Sequence, residues 1–279
     1  MPTKLKGRST PAAVAGKNGH SLISSKKFRQ MYAALLQCEL LEERLGGFSV
    51  NGTPSAIAAA VGLTLDLERE DTVVLSPGTL AASFVKGVPA SALMNHGNAA
   101  ANGAAFTFGE VNAYKPASSA AGVHAGLATG AALANKMAKN GRIAVAFMEG
   151  GAATLTECRE ALELASKHKL PVLYVAHVEL NRKDEKVLAK LAELFPVITV
   201  DAHDIVAIYR VAQESIARAR DGGPTLIVCV LCATEGVPAN AVANMERYLA
   251  GKKLFESRWK DEALAQIGSE LGRGLSSSA

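Results

Sequence analysis

The residues best suited to chemistry are Glu149-Gly150-Gly151, which fall between a candidate strand and a candidate helix. Glycine lets a backbone approach a ligand closely. A helix beginning just beyond it would offer unpaired N–H groups to an anion. Glu149 beside them would repel that anion unless a cation stood between. A Gly-Gly turn from strand to helix also forms with no ligand at all. The other candidate is Cys229-Val-Leu-Cys232, with redox or zinc-like spacing. It lies inside Thr-Leu-Ile-Val-Cys-Val-Leu-Cys, an apolar, β-branched run that reads as a buried parallel strand. Residues three apart on a strand point to opposite faces, so the pair reads as two buried thiols rather than a bridge or a metal site.

The elements that must position these residues follow from spacing. Phe28, Met31, Tyr32, Leu35, Leu36, Leu40, Leu41 and Leu45 predict a helix over Lys26–Leu45, and a second fits Pro54–Leu65 with proline at its start. A short strand fits Thr72–Leu75, with helices around 79–86 and 90–96. The stretch 97–121, rich in Asn, Gly, Ala and Ser, reads as a long loop. Regular alternation follows: helix Val123–Ala138, strand Arg142–Met148, helix Thr154–His168, strand Pro171–His177, helix Asp184–Leu194, strand Val197–Val200, helix Asp204–Arg220 and strand Thr225–Cys232. Two helices, near 243–249 and 258–270, close the chain. Thr154-Leu-Thr-Glu157 reads as a capping box, with Leu155, Cys158, Leu162 and Ala165 facing inward, and Asp204 reads as an N-cap. Such alternation predicts an α/β fold: a three-layer αβα arrangement around a mostly parallel sheet, as one domain over 26–272. Residues 1–25 read as a basic arm and 273–279 as a tail.

Composition narrows the function classes. The chain has 279 residues, 50 of them alanine, with 5% aromatics and a net charge of +4. That surplus is too small for a nucleic-acid protein unless concentrated in one place. Seven basic residues do precede the first acidic one, Glu39, but no aromatic before Phe28 interleaves with them. A solvated tail is the plainer reading, a basic arm or transit peptide the alternative. The apolar runs fall far short of the roughly 20 residues that span a membrane. Thiols read as free, without a signal peptide, imply a reducing cytoplasm.

Arg142–Val175 carries Glu149-Gly150-Gly151-Ala152-Ala153, then Glu160-Ala161-Leu162 and Lys169-Leu170-Pro171-Val172. This stretch resembles the alpha subunit of thiamin diphosphate-dependent 2-oxo acid dehydrogenases, the decarboxylating component of the pyruvate and branched-chain complexes. The likeness extends to Met31-Tyr32, Leu41-Glu42-Glu43-Arg44-Leu45, Lys86-Gly87-Val88, Leu127-Ala128-Thr129-Gly130-Ala131-Ala132, Asp201-Ala202-His203-Asp204, Gly223-Pro224-Thr225-Leu226-Ile227 and Met245-Glu246-Arg247-Tyr248-Leu249, so it covers about residues 27–270. It implies the thiamin diphosphate-binding, Rossmann-like fold, a cofactor of thiamin diphosphate with Mg²⁺, oxidoreductase activity on a 2-oxo acid, and a beta subunit as partner.

The resemblance also locates departures. The family's metal-binding aspartate falls on Gly150, with Glu149 where a glycine should precede it. Its asparagine pair falls on Val178-Glu179, its Tyr-Arg pair on Pro77-Gly78 and its Gln-Glu on Ala56-Ile57. The family histidine near the last strand is missing from Glu235-Gly236-Val237-Pro238, the loop after it is short, and the segment that should carry a Met-His is unrecognisable within 97–121. Mg²⁺ needs near-octahedral oxygen ligands, and a diphosphate needs cations to offset its charge. Losing all of these together implies a non-catalytic or regulatory scaffold unable to bind Mg-thiamin diphosphate by itself.

Glu149 and Glu179 could instead converge as carboxylate ligands for a divalent cation. Gly122, Gly150 and Gly151 could hold cofactor through backbone, with Glu149 and Glu179 beside them. His124, where the family has Gln near the aminopyrimidine, and His177 could join the two glutamates in a polar cluster. On that reading the chain remains an oxidative decarboxylase completed by a beta subunit. A third possibility is a module that binds another small anion in the emptied pocket. In every case the chain is expected to assemble with a beta-like partner or with itself.

Overall fold

The computed structural model describes residues 23–44, 56–94, 104–179, 182–231 and 240–276. Most of the basic arm (1–22), Pro54, Cys232 and the Glu235–Pro238 segment fall outside the described residues.

Seven strands among the described residues form one sheet in the order β2-β3-β1-β4-β5-β7-β6. They are β1 (Thr72–Val74), β2 (Phe106–Phe108), β3 (Ala113–Lys115), β4 (Ala144–Gly150), β5 (Val172–Val178), β6 (Val197–Asp201) and β7 (Thr225–Val230). Every pairing is parallel except β2 with β3. The central strands β4, β5 and β7 are apolar over most of their length, Ala144–Met148, Val172–Ala176 and Leu226–Val230, because helices cover both of their faces.

Side chains alternate between two cores. On one face Val73, Val145, Phe147, Leu173, Val175 and Ile227 pack beneath α1 (Ser25–Arg44), α2 (Ile57–Thr64), α3 (Ala81–Val85), α8 (Ile205–Arg220), α9 (Ala241–Gly251) and α10 (Arg258–Ser276). On the other, Val74, Ala146, Met148, Tyr174, Ala176 and Val228 pack against α4 (Ala121–Ala138), α5 (Ala152–Glu157), α6 (Arg159–Lys167) and α7 (Arg182–Ala192). This is the expected three-layer α/β arrangement. Among the described residues no helix is long and apolar enough to cross a membrane.

Three readings need correction. The stretch 97–121 is not simply loop: it contains β2, β3 and, between them, a 3-10 turn over Gly109–Val111. Three-residue strands are too short for alternation to reveal them. The helix expected from Thr154 begins at Ala152 after Gly151 and breaks at Cys158, so Thr154 is not its N-cap. The last helix runs on through Ser276, into the segment expected as a tail. Asp204 does cap α8, its carboxylate accepting from the Ala207 N–H at 2.9 Å.

A buried ion pair ties the amino edge of the sheet together. Asp71, fully buried, accepts from Arg220 Nη2 at 2.7 Å and Nη1 at 3.2 Å, and from the Ile143 and Glu68 N–H groups.

Candidate functional site

In the strand order, the chain leaves β1 toward β3, whereas β4 leads the other way toward β5. The carboxyl ends of β1 and β4 therefore flank the topological switch point, where open α/β sheets bind their ligands. After β1 the chain makes a 3-10 turn, Pro77–Thr79, entered through Ser76. The Ser76 N–H donates to Thr79 Oγ1 at 2.9 Å, and the two hydroxyls lie 3.0 Å apart. Proline at the first position suits that turn because its missing N–H would have no partner there.

Glu149 bridges this crevice. It follows Phe147 on the same face of β4, and its Oε1 accepts from Ser76 Oγ at 2.5 Å and from the Gly78 N–H at 2.7 Å. Glu149 and Gly150 are thus the last residues of β4, not part of the turn after it. Burial raises the Glu149 pKa above the ordinary carboxyl value, and its two hydrogen bonds partly offset the rise. Gly78 is what admits the carboxylate: a Cβ there would stand 2.6 Å from Glu149 Oε1.

Gly150 leaves no room for a side chain. Its φ is +135°, which L residues rarely adopt, and a Cβ would lie 2.0 Å from Thr154 Oγ1. The Thr154 hydroxyl donates to the Glu149 carbonyl at 3.0 Å, which fixes the chain as it enters α5. Gly151 faces open space. Gly122, on α4, fits closely against α5, since a Cβ there would lie 3.1 Å from the Glu157 carbonyl.

The two glutamates expected as cation ligands are not brought together. Glu149 reaches toward β1, while the exposed Glu179 stands just past β5, the strand on the other side of β4. No group of three or more His, Cys, Asp or Glu side chains capable of holding a metal exists among the described residues.

The two histidines separate as well. His124 belongs to α4 and bonds through Nε2 to the Ser118 carbonyl at 3.0 Å. His177, two residues after Val175 on β5, shares its face and so points into the core on the other side of the sheet from α4. His177 is 2% exposed, and neither ring nitrogen has a hydrogen-bond partner. Burial, with a smaller contribution from His203, pushes its pKa down to about 4. It is therefore a neutral imidazole near pH 7. Cys38, Cys158 and Cys229 are buried free thiols.

Two features went unread in the sequence. Ser76 partners Glu149 from a turn 73 residues away, which no local pattern encodes. Lys115, 2% exposed at the end of β3, donates to the Ala104 and Pro116 carbonyls at 3.1 Å each. A lone lysine beside Pro116 gave no sign that it would be buried.

The model of the dehydrogenase E1 component family matches residues 31–232, and the chain belongs to that family. Among curated proteins it is similar to the alpha subunit of acetoin:2,6-dichlorophenolindophenol oxidoreductase from Bacillus subtilis, at 36% identity over 37% of this chain and 34% of that one. The corresponding subunit from Cupriavidus necator is 30% identical over 53% of this chain and 46% of that one. The chain thus spans about a third to a half of these relatives. A solved structure from Mycobacterium smegmatis, assigned as a thiamin diphosphate-dependent enzyme, superposes with a TM-score of 0.46 at 18% identity, over 65% of this chain and 33% of that one.

Proposed function

We propose that this chain is an alpha-subunit-like scaffold of the E1 family that does not hold Mg-thiamin diphosphate with its own residues. It acts through assembly, with a beta-like partner or with a second copy. The observation that carries this reading is the Glu149 bridge. At the switch-point crevice, where the family resemblance puts a diphosphate and its cation, a carboxylate is already bonded to Ser76 and Gly78. A carboxylate and a diphosphate repel each other. The position that should carry the metal's aspartate is Gly150, where Thr154 leaves no space for one. The position that should carry an arginine is Gly78, and any side chain there would displace Glu149. These residues do not fit Mg-thiamin diphosphate, and each departure accommodates another.

Calorimetric titration of the purified full chain with thiamin diphosphate and Mg²⁺ tests the reading. No saturable heat is expected up to about 1 mM cofactor, which corresponds to a binding free energy weaker than about −4 kcal/mol. Affinity in the micromolar range would overturn it.

A further inference from the structure

A groove of about 750 Å³ opens beside α1, away from the Glu149 crevice. One wall is a face of α1 on which Gln30, Ala33, Ala34 and Gln37 recur at i, i+3, i+4 and i+7. A second wall is apolar, built from Leu65, Phe84, Val85, Val88 and Pro89. Gln266 and Glu270, one turn apart on α10, complete the lining with Ser91. The groove lies toward the amino end of β1: Lys86, next to its Gly87, donates to the Glu68 and Asp71 carbonyls at 2.8 Å each. Ser76 and Glu149 meet past the other end of that strand.

Gln37 sets this groove apart from a surface dent. It is 8% exposed, and no hydrogen bond among the described residues uses its amide. Buried amides in folded proteins are almost always paired, because an unpaired one costs stability. This one lines the groove, so a ligand seated there would meet both its donor and its acceptor.

The rest of the lining narrows the ligand's chemistry. No lysine, arginine or histidine borders the groove, and Glu270 is its one charged side chain, so phosphates and carboxylates are disfavoured. A single carboxylate does not make a metal site. A pure hydrocarbon would cover the Gln37 amide without satisfying it. The lining therefore suits an uncharged molecule with a flat apolar body and a polar edge. Alanines at 33 and 34 leave a slot for that body, and Phe84 supplies an aromatic ring for it to pack on.

We propose that the groove binds an uncharged nitrogen heterocycle whose edge carries an adjacent donor and acceptor that pair with the Gln37 amide. Adenine nucleosides and nicotinamide share that edge, and glutamine pairs with adenine in this bidentate way. The volume falls within the roughly 300–1,000 Å³ usual for small-molecule sites. Nothing in this inference rests on the cofactor reading, since the two sites lie toward opposite ends of β1.

Calorimetric titration of the full chain with adenosine and with nicotinamide, in the absence of thiamin diphosphate, tests it. At least one should bind with a dissociation constant below about 1 mM, and which one binds identifies the source of the edge. The charged counterpart, AMP or nicotinate, should bind at least about tenfold more weakly, and Glu270→Gln should narrow that gap. Gln37→Met, close in volume but unable to pair, should weaken binding by about tenfold or more while the thermal midpoint stays at or above the parent's. A merely structural Gln37 would give the reverse, a lower midpoint with binding unchanged. Ala33→Leu, which fills the slot without altering Gln37, should block binding as well. Saturation by neither compound at several millimolar would overturn the proposal. So would binding that is indifferent to Gln37→Met or to Ala33→Leu, or a charged counterpart that binds as tightly as the neutral compound.

Discussion

Replacing Gly78 with alanine tests whether the Glu149 bridge holds the crevice closed. The φ of Gly78 is not in the left-handed region, so its backbone accepts alanine. On that ground alone the change should stabilise by about 0.4–1 kcal/mol, through the unfolded chain. The new Cβ, however, would stand 2.6 Å from Glu149 Oε1 and 3.2 Å from its Cδ. The carboxylate must retreat by nearly 1 Å to reach ordinary contact distance, which breaks the bonds from Ser76 and Gly78. Hydrogen bonds to a charged group contribute roughly 1.5–3 kcal/mol each, and a buried carboxylate without partners costs at least as much as one of them. Allowing for relaxation and the alanine gain, Gly78→Ala should destabilise by about 2 kcal/mol. In a Glu149→Ala background the clash is absent, so the same change should be neutral or slightly stabilising. The coupling energy should therefore be about 2 kcal/mol. Urea unfolding of the four proteins, with unchanged m-values, measures it. A Gly78→Ala protein as stable as the parent, or a penalty that persists without Glu149, would refute the reasoning.

Other perturbations follow from the same geometry. The raised Glu149 pKa means that its contribution to stability is fully present below the ordinary 4.5 and is lost as pH rises through the higher folded value. Glu149→Gln should remove that decline, as urea midpoints between pH 4.5 and 8 would show. His177 has the opposite sign: its pKa falls from 6.5 to about 4, so stability present above pH 6.5 is lost as pH falls toward 4. His177→Leu should flatten that window, and near pH 7 it should cost little, because no hydrogen bond is lost. Arg220→Ala strands the fully buried Asp71 and should cost about 3–5 kcal/mol by chemical denaturation, with Arg220→Lys restoring only part through loss of the paired N–H fork.

Much of the scaffold was legible because its signals are local. Phe28, Met31, Tyr32, Leu35, Leu36 and Leu41 recur at helical spacing and are all buried on α1. The apolar run from Thr225 is a strand bonded on both sides by parallel neighbours. Where the reading failed, a tertiary term outweighed a local one. Thr154-Leu-Thr-Glu157 has capping-box spacing, but the chain leaves β4 at Gly150 and starts the helix at Ala152 with Gly151 as its N-cap, and the Thr154 hydroxyl bonds the Glu149 carbonyl instead. The glutamates at 149 and 179 sit near neighbouring strand ends, which invited a shared cation. Strand proximity does not fix where a long side chain turns, and Glu149 turns toward β1.

The departures at the site are not independent of one another. A glycine at 78 without a carboxylate at 149 would leave the Gly78 N–H facing an empty crevice. A glutamate at 149 without a glycine at 78 would find its place filled. A side chain at 150 would strike the hydroxyl that fixes the entry to α5, so restoring a metal ligand there also requires a change at Thr154. On the proposed reading the crevice holds a self-consistent arrangement of its own, in which an internal carboxylate takes the hydrogen bonds that the turn after β1 offers. Reintroducing one family residue should therefore destabilise the chain rather than recover cofactor binding. Gly150→Asp alone should cost stability by forcing a left-handed φ and a clash at Thr154, and titration with Mg²⁺ should show no gain in affinity.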